Sequence, residues 1–422
     1  MRRRGWAVAS GRTWCPRRVA TLALAVAAGA AHAQAPRHLT VGVFLSHYPG
    51  ESDLWSGLRD SFQQAVPGVQ VGLTLFEWAD AEAKVSSWAG TGYWEAPDLA
   101  IIQDIDLPRL AHRVLPLETL LDRDFQNQLI PAMLDRGRLS GVLHGLPWLA
   151  TSEVLYYQAD LFAARGLQPP TTWEELAEAA TALSTPPEVY GFGVPARPGG
   201  DAGGFFLSML WSCGGDVFDA QGSLRLRDEQ ALQATTALAN LRNRRATQPE
   251  TITYSYAELE SLFAGGRLAM MIGSSAFAQQ LVAAPQPVEF GVAPLPGLGR
   301  QLTQVRCQHL VIFDHTPHPE DCLAFLRHAF RRETAEALVA RAGVPVRRDL
   351  QRELVKREPI RPFVEALEGA RGRPLQYWDL LCPRLEQTVC VLMRGALEPQ
   401  EALQACLSFE LAGEPAPAPP ER

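Results

Sequence analysis

Residues 38–44 read HLTVGVF, and this run alternates in the manner of a β-strand. The stretch that follows at 53–65, DLWSGLRDSFQQA, repeats apolar side chains at the helical spacing of Leu54 and Leu58. Asp53 stands in front of that stripe as a predicted N-cap, because its carboxylate can accept hydrogen bonds from free backbone N–H groups. A strand followed directly by an amphipathic helix is the first half of a βαβ unit.

The same alternation continues along the chain. A second strand is predicted at 69–76, a helix at 79–89, and a short apolar strand at 99–102. The order β-α-β-α-β predicts a mostly parallel sheet covered by helices. Ligands of such sheets bind beyond the carboxyl ends of the strands.

A second unit begins near Pro147. The sequence TWEE at 172–175 is a capping box that starts a helix. A helix at 256–264 ends at a Gly-Gly pair, and a strand at 267–272 follows it. Periodicity predicts two further helices, at 319–330 and 400–411.

Composition excludes several classes of protein. The chain has 422 residues, 47% of them hydrophobic, so it can bury more than one core, since single cores stop growing near about 250 to 300 residues. Six arginines lie in the first 34 residues, and without them 33 basic residues face 46 acidic ones, a net charge of −13. So acidic a chain lacks the basic surface that binding to nucleic acid requires.

The N-terminus is typical of an export signal. Residues 1–33 combine an arginine-rich start, a short apolar run and a small-x-small sequence ending at Ala33. No cysteine stands where a lipid anchor would need one, so the mature protein is predicted to be free in the periplasm. The last ten residues, 413–422, are predicted to be a disordered tail because they are rich in proline and alanine.

Six cysteines follow the predicted cleavage site: Cys213, Cys307, Cys322, Cys382, Cys390 and Cys406. An oxidising compartment permits disulfides among them in any of about 15 complete connectivities, and their spacing does not select one. If Cys382 and Cys390 share a helix, they lie about 12 Å apart along its axis, too far for a bond.

Six blocks of sequence together resemble a known family. They are HGLPWLATSEVLYYQADLFAARGLQPPTTWEELAEAA from His144, YGFGVPA from Tyr190, FLSMLWSCGGDVFDAQGSL from Phe206, SYAELESLFAGGRLAMMIGSSAF from Ser255, FGVAPLPG from Phe290 and AGVPVRRDL from Ala342. Their order and spacing are similar to those of the extracellular solute-binding proteins of carbohydrate ABC importers, the maltose-binding-protein-like family. The resemblance extends over nearly all of the mature chain.

This resemblance implies an α/β, two-lobed periplasmic-binding-protein-like fold of type II, with hinge crossovers and a central ligand cleft. Lobe 1 is predicted over 36–148 plus 275–314, and lobe 2 over 149–274 plus 315–412. The implied function is capture of a sugar, oligosaccharide or related polyol and its delivery to the permease subunits of an ABC importer in the inner membrane. No catalysis and no cofactor are expected, and we expect a monomer.

Sugar recognition predicts the composition of the cleft. Sugar hydroxyls need planar, fixed hydrogen-bonding groups, and the C–H faces of the ring pack on aromatic rings. Positions at predicted strand ends, crossovers and the family's hinge and rim supply such residues. The predicted ligand-binding residues are Ser46, His47, Asp104, Asp106, Trp148, Trp211, Ser274, Ser275, Phe277, Arg306, Tyr377 and Trp378.

Arg306 has two interpretations. Its guanidinium could pair with a carboxylate or phosphate on the solute, or it could be satisfied by an acidic residue of the cleft, which is the favoured interpretation. His309, His315 and His318 with Asp314 match no rigid ligand spacing, so no metal site is predicted.

Three other functions fit parts of the sequence. A glycan-cleaving enzyme would need two carboxylates at a fixed separation, which no pattern here defines. An exported thiamine-degrading enzyme has a similar two-lobed architecture and a cleft cysteine as nucleophile, a role for which Cys213 and Cys307 are the candidates. A receptor that presents its liganded form to a membrane sensor would use the same closure as a transport protein.

Overall fold

The computed structural model describes residues 36–45, 50–199, 201–219, 221–285, 288–297, 303–367 and 369–407. Ten strands lie in these ranges: β1 (Arg37–Leu45), β2 (Val69–Glu77), β3 (Leu99–Gln103), β4 (Arg138–Leu139), β5 (Val142–Leu143), β6 (Leu146–Gln158), β7 (Tyr190–Gly193), β8 (Leu268–Ser274), β9 (Phe290–Ala293) and β10 (Val305–Ile312). The predicted signal peptide, the predicted tail, Ser46 and His47 lie outside the described residues.

Seventeen α-helices occur in the same ranges: α1 (Glu51–Ala65), α2 (Ala81–Ala89), α3 (Leu107–Leu110), α4 (Arg123–Asn127), α5 (Pro131–Asp135), α6 (Ala159–Arg165), α7 (Trp173–Leu183), α8 (Ala202–Ser212), α9 (Glu229–Asn243), α10 (Tyr256–Ala264), α11 (Ser275–Ala283), α12 (Pro319–Ala329), α13 (Arg332–Ala342), α14 (Arg348–Leu354), α15 (Arg361–Ala366), α16 (Trp378–Arg394) and α17 (Pro399–Leu407). Short 3₁₀ turns cover Trp78–Asp80, Tyr93–Glu95, Asp104–Asp106, Thr251–Thr253 and Leu375–Tyr377. No helix in these ranges is both long and apolar enough to span a bilayer.

The predicted elements are present in the described ranges, with local corrections at two helix starts; residues 408–411 of the last predicted helix lie outside those ranges. Gly50 is the N-cap of α1, and Asp53 lies in the first turn instead. At α7 the Thr172 hydroxyl accepts from the Glu175 N–H as predicted, but the Glu175 carboxylate accepts from the N–H of Thr171. The return hydrogen bond of the predicted capping box is thus displaced by one residue.

Eight strands form one mixed sheet in the order β2-β1-β3-β10-β6-β8-β7, with β9 also paired to β6. The predicted parallel arrangement holds for β1 with β2 and β3, and for β7 with β8. β10 and β6 depart from it, because each runs antiparallel to its neighbours. The sheet is therefore parallel towards its two ends and antiparallel at its centre.

β6 joins the two parts of this sheet. Its first half, Leu146 to Ser152, pairs with β10, and its second half, Glu153 to Tyr157, pairs with β8. Every side chain of this strand except Thr151 and Tyr157 is buried. The partner strand changes between Ser152 and Glu153, which places a charged residue at the centre of the molecule.

Three clusters of buried side chains cover the sheet. On β1, Val41 and Val43 enter one cluster and Phe44 another, as the two-residue period of a strand requires. A further cluster surrounds Leu155 and is formed mainly by α7, α8, α9 and α16.

The segment predicted as part of lobe 2, 315–412, divides between these clusters. Phe325 of α12 packs against Phe62 of α1 in the first cluster, with 5.2 Å between ring centroids, whereas Leu381 of α16 lies in the cluster around Leu155. The lobe boundaries themselves stay a prediction.

Candidate functional site

A network of charged side chains surrounds Glu153, at the point where β6 changes partners. The Glu153 side chain is almost fully buried, and its carboxylate accepts from the Ser208 hydroxyl at 2.8 Å and from the Gln304 amide at 3.1 Å. Thr303 fixes the backbone there, because its hydroxyl donates to the Glu153 carbonyl at 2.6 Å. Burial raises the pKa of Glu153, and the Arg306 charge and the Ser208 hydrogen bond oppose that rise.

Two guanidinium groups complete the network. Arg306 on β10 lies 3.6 Å from Glu153 Oε1 and 3.6 Å from Asp201 Oδ1. Arg373, in the segment before α16, donates from Nε to the Gln304 amide oxygen at 3.1 Å and lies 3.9 Å from Asp201. Burial and the nearby charge of Arg306 lower the pKa of Arg373. Both arginines therefore have carboxylates of the chain as neighbours.

α8 accommodates this network through a glycine. A Cβ atom added at Gly204 would lie 2.9 Å from Arg373 Nη2 and 3.0 Å from Gln304 Oε1. The absent side chain lets the guanidinium and the amide approach the helix backbone, next to Asp201 at its N-terminus.

One face of α10 is directed at the same charges. The helix begins with a capping box formed by Ser255 and Glu258, which sequence analysis did not identify. The Tyr256 hydroxyl is buried and has no hydrogen-bond partner in the part of the chain that the structure describes. Glu260, one turn further, is partly buried, and desolvation, opposed by Arg306 and reinforced by Asp201, raises its pKa to about 7.

The predicted acidic pair after β3 adjoins the network. Asp104 is buried and accepts from Arg136 Nη2 at 3.0 Å, and the same nitrogen donates to the Arg373 carbonyl at 3.1 Å. Asp106 is buried too, and desolvation raises its pKa to about 6 although Arg109 lies 3.9 Å away. Asp104 thus connects to the Glu153 network through Arg136.

Three predicted aromatic residues lie in the core instead. Trp148 is 2% exposed and its ring centroid lies 5.0 Å from that of Trp55. Trp211 is 1% exposed, with its indole N–H donating to Asp216 at 3.2 Å. Phe277 is 3% exposed and contacts the Tyr156 ring. None of the three presents a ring face on which a sugar could stack in this structure.

The other two predicted aromatic residues lie beside the network. The Arg373 guanidinium stacks over the Trp378 ring, 4.5 Å from its centroid, and Trp378 is otherwise buried. Tyr377 is partly buried and packs against Phe218, with 5.3 Å between the ring centroids.

The predicted serines lie at the end of β8. Ser274 is opposite Glu153 in the strand register, and its carbonyl accepts from the Tyr156 hydroxyl at 2.6 Å. Ser275 begins α11 and is fully buried, and its hydroxyl has no partner within the described ranges. Of the two serines, only Ser274 is paired across the sheet with a member of the network, Glu153.

Sequence analysis missed most members of the network: Glu153, Asp201, Ser208, Tyr256, Glu260, Gln304 and Arg373. One signal was available. Glu153 interrupts the apolar run LPWLATSEVLYYQ, and a charged residue in a buried strand requires partners elsewhere in the chain. The sequence does not say which residues those partners are.

The described cysteines are all free thiols. Burial raises the pKa of Cys213 to about 11 and raises that of Cys307 further from its ordinary value. The Cys307 sulfur also lies 3.6 Å from Met133 Sδ inside the core. Neither environment produces the thiolate that a nucleophilic cysteine needs.

Comparison with known proteins gives one consistent result. The family described as bacterial extracellular solute-binding protein matches residues 57–362. A Brucella abortus (strain 2308) protein described as a binding protein is 24% identical over 357 residues, which cover 82% of this chain and 86% of that protein.

Solved structures show a similar fold. A solute-binding protein of an ABC transporter from Thermotoga lettingae, bound to α-D-tagatose, has a TM-score of 0.76 at 21% identity and covers 88% of this chain and 97% of its own. A solute-binding protein from Agrobacterium radiobacter K84, in complex with ribitol, has a TM-score of 0.72 at 22% identity, with the same coverage of 88% and 97%. The fold shared with these proteins is the two-lobed type II binding-protein fold.

Proposed function

Because the chain belongs to the family of bacterial extracellular solute-binding proteins, we propose that it binds a carbohydrate or polyol between two lobes and delivers it to an ABC importer. The proteins of similar fold bound to tagatose and ribitol are consistent with this class of solute. The protein works in the periplasm as a monomer, contacts the permease subunits of the importer, and leaves the covalent bonds of the solute unchanged.

The network around Glu153 is the observation that carries the proposal. It combines carboxylates, guanidinium groups, an amide and a phenol contributed by β6, β10 and the residue before it, the N-terminus of α8, α10 and the segment before α16. Such fixed planar groups match the directional hydrogen bonds of sugar hydroxyls. Trp378 lies directly beneath Arg373 and supports its guanidinium through a cation–π contact.

Of the predicted binding residues, Asp104, Ser274, Arg306, Tyr377 and Trp378 remain in the proposed site. To these we add Glu153, Asp201, Gln304 and Arg373. We also propose that α12 moves with lobe 1, because Phe325 packs on Phe62 of α1. Solute that contacts both lobes only in the closed form shifts the equilibrium towards closure, which the membrane partner then recognises.

Thermal unfolding in the presence of a panel of monosaccharides, oligosaccharides and polyols tests this function. We expect at least one compound to raise the midpoint and to reduce the radius of gyration in solution scattering. If no member of the panel raises the midpoint, the proposal is wrong.

Two variants of Arg306 test whether the solute binds at the network around Glu153. Arg306→Ala should weaken binding of the best compound about 10-fold to 100-fold, because it removes charge-assisted hydrogen bonds. Arg306→Lys should recover only part of that loss, since a lysine lacks the planar fork. Arg357→Ala is the matched control, because Arg357 is an exposed arginine outside the network.

A further inference from the structure

The charges in the network do not balance. Arg306 and Arg373 are the two cations, and both have Asp201 as a neighbour, while Arg306 also faces Glu153. Those two carboxylates already match the two guanidinium groups in number. Asp104 and Arg136 form an ion pair of their own, so they do not alter this balance.

Two further carboxylates face the network without a cation of their own. Glu260 makes no ion pair within 4.0 Å and no hydrogen bond to any residue that the structure describes. The charged groups that shift its pKa are those of Arg306 and Asp201. Glu386 accepts only from neutral donors there, the Gly199 N–H at 3.0 Å and the Cys382 thiol at 3.8 Å. The network therefore holds more carboxyl groups than guanidinium groups, and it carries excess negative charge once those carboxyls ionise.

α10 adds a second and independent observation. Tyr256 and Glu260 are four residues apart, so their side chains lie on the same face of the helix. The Tyr256 hydroxyl is buried without a partner among the described residues, and the charges acting on it are those of Glu153, Asp201, Arg306 and Arg373. A polar atom left unpaired in that position indicates that a hydrogen-bonding group of a ligand belongs beside it.

We propose that the solute is a sugar or polyol carrying a protonated amine, and that Glu260 pairs with its ammonium group while the Tyr256 hydroxyl lies next to it. This inference rests on the function proposed above. An ammonium group would neutralise a partly buried carboxylate that has no other cation, which removes an unpaired charge.

An anionic solute fits this arrangement poorly. A carboxylate or phosphate would need a guanidinium that is free to bind it, whereas Arg306 and Arg373 already lie against carboxylates. It would also face the excess negative charge of Glu260 and Glu386. A neutral sugar could donate a hydroxyl hydrogen bond to Glu260 but would leave its charge without a counter-ion.

Ionisation of Glu260 gives the proposal a measurable signature. Burial raises the pKa of Glu260 to about 7, Asp201 at the N-terminus of α8 raises it too, and Arg306 of β10 opposes the rise. Tyr156 of β6 is a further titratable group that interacts electrostatically with Glu260. A bound ammonium favours the charged carboxylate, so binding at pH 7 releases a proton from the fraction of Glu260 that is protonated. Affinity for an amine that stays protonated should therefore rise from pH 6 to pH 8.

The test uses three matched sets of compounds in calorimetric titration: glucose, glucosamine and glucuronate; galactose, galactosamine and galacturonate; sorbitol, 1-amino-1-deoxysorbitol and gluconate. In at least one set we expect the amine to bind at least 10-fold more tightly than the neutral compound, and the acid to bind weakest. Titrations of 1-amino-1-deoxysorbitol, an alkylamine that stays protonated at this pH, in two buffers of different ionisation enthalpy should show release of up to about half a proton per amine bound at pH 7.

Glu260→Gln should reduce the ratio of amine to neutral affinity to near one and abolish the proton release. Glu178→Gln, an exposed glutamate on α7, is the matched control and should leave both unchanged. The amine proposal is wrong if the neutral compounds bind as well as their amines, or if all three amines fail to bind. If neutral saccharides of the larger panel still bind in that case, the proposed function stands.

Discussion

Ser208 of α8 donates a hydrogen bond of 2.8 Å to the Glu153 carboxylate of β6, and neither residue is more than 2% exposed. This contact fastens α8 to the strand that joins the two parts of the sheet. A buried carboxylate is stable only with such partners, because the protein interior solvates it far less well than water does. The network is thus a structural element as well as a candidate binding site.

Glu153→Ala should lower the free energy of unfolding by about 3 kcal/mol, because it leaves the buried Gln304 amide and Ser208 hydroxyl without their acceptor and removes a carboxylate 3.6 Å from Arg306. Ser208→Ala should cost about 1 kcal/mol. Urea denaturation measures both. Glu178→Ala, at an exposed position, should stay within about 0.5 kcal/mol of the parent protein, and an equally small effect of Glu153→Ala would contradict the structural role.

The pH dependence of stability should contain a contribution from Asp106. Burial raises its pKa from 3.8 to about 6 in the folded protein, so its ionisation disfavours folding. Its contribution to stability is complete below pH 3.8 and is lost as the pH rises through about 6. Asp106→Asn cannot ionise, and it should become more stable than the parent by up to about 3 kcal/mol between pH 4 and pH 7.

Chemical denaturation at intervals of half a pH unit measures this difference. Asp80→Asn, at an exposed aspartate, should give a nearly constant difference over the same range and serves as the control. A difference for Asp106→Asn that does not grow with pH would show that Asp106 ionises normally in the folded state.

Local periodicity predicted most of the architecture. The strand at 38–44 and the helix at 256–264 coincide with β1 and α10 to within one residue, because their apolar repeats are set by contacts to one neighbouring layer. The antiparallel pairing of β6 with β10 was not predicted, since pairing depends on residues about 150 positions apart.

The site was harder to predict for the same reason. Glu153, Asp201, Tyr256 and Arg373 come from four separate segments, and no local pattern relates them. Trp148 was misleading because β6 is buried on both faces, so the strand has no alternation to show which side chains reach a cleft. Arg306 was identified correctly as a cation with acidic neighbours, since Glu153 and Asp201 both lie beside it.

Gly372 should be essential for the position of Arg136. A Cβ atom at this glycine would lie 1.7 Å from the Arg136 Cζ atom, so Gly372→Ala must displace the guanidinium from the buried Asp104 carboxylate. The expected loss in the free energy of unfolding is about 2 kcal/mol. Gly57→Ala is the opposite case, because an added Cβ meets nothing within 4 Å on α1, and it should stabilise the protein by about 0.5 kcal/mol.

Both variants are measured by urea denaturation. In an Arg136→Ala background the cost of Gly372→Ala should largely disappear, because the displaced group is gone. If Gly372→Ala lowers the free energy of unfolding by the same amount in that background, Gly372 is required for its own backbone conformation and not for the position of Arg136.

The thiols of the native protein should react slowly. Burial raises the pKa of Cys213 to about 11 and the pKa values of Cys322 and Cys382 to about 12, so little thiolate exists at pH 8. Labelling with Ellman's reagent should therefore be slow in the native state, and all six thiols of the described residues should react after denaturation. A fast thiol that a bound solute protects would instead support an enzyme with a nucleophilic cysteine.

Arg109 of α3 and Asp379 of α16 form an exposed ion pair at 2.7 Å that joins segments from two different cores. If those cores belong to opposite lobes, this pair exists only when the cleft is closed. Exposed pairs contribute up to about 1 kcal/mol, so Arg109→Ala or Asp379→Ala should weaken solute binding by up to about 5-fold at low salt. The effect should vanish at high ionic strength because exposed charges are then screened.

Calorimetric titration of the two single variants and the double variant at low and high salt measures this coupling. The double variant should bind as weakly as either single variant and no more weakly, since the two side chains act as one pair. Arg327→Ala is the control, because Arg327 pairs with Asp122 at 2.8 Å on similarly exposed surface beside a single core. Equal weakening by Arg327→Ala would indicate a general loss of charge, and independent effects of Arg109→Ala and Asp379→Ala would exclude a closure contact.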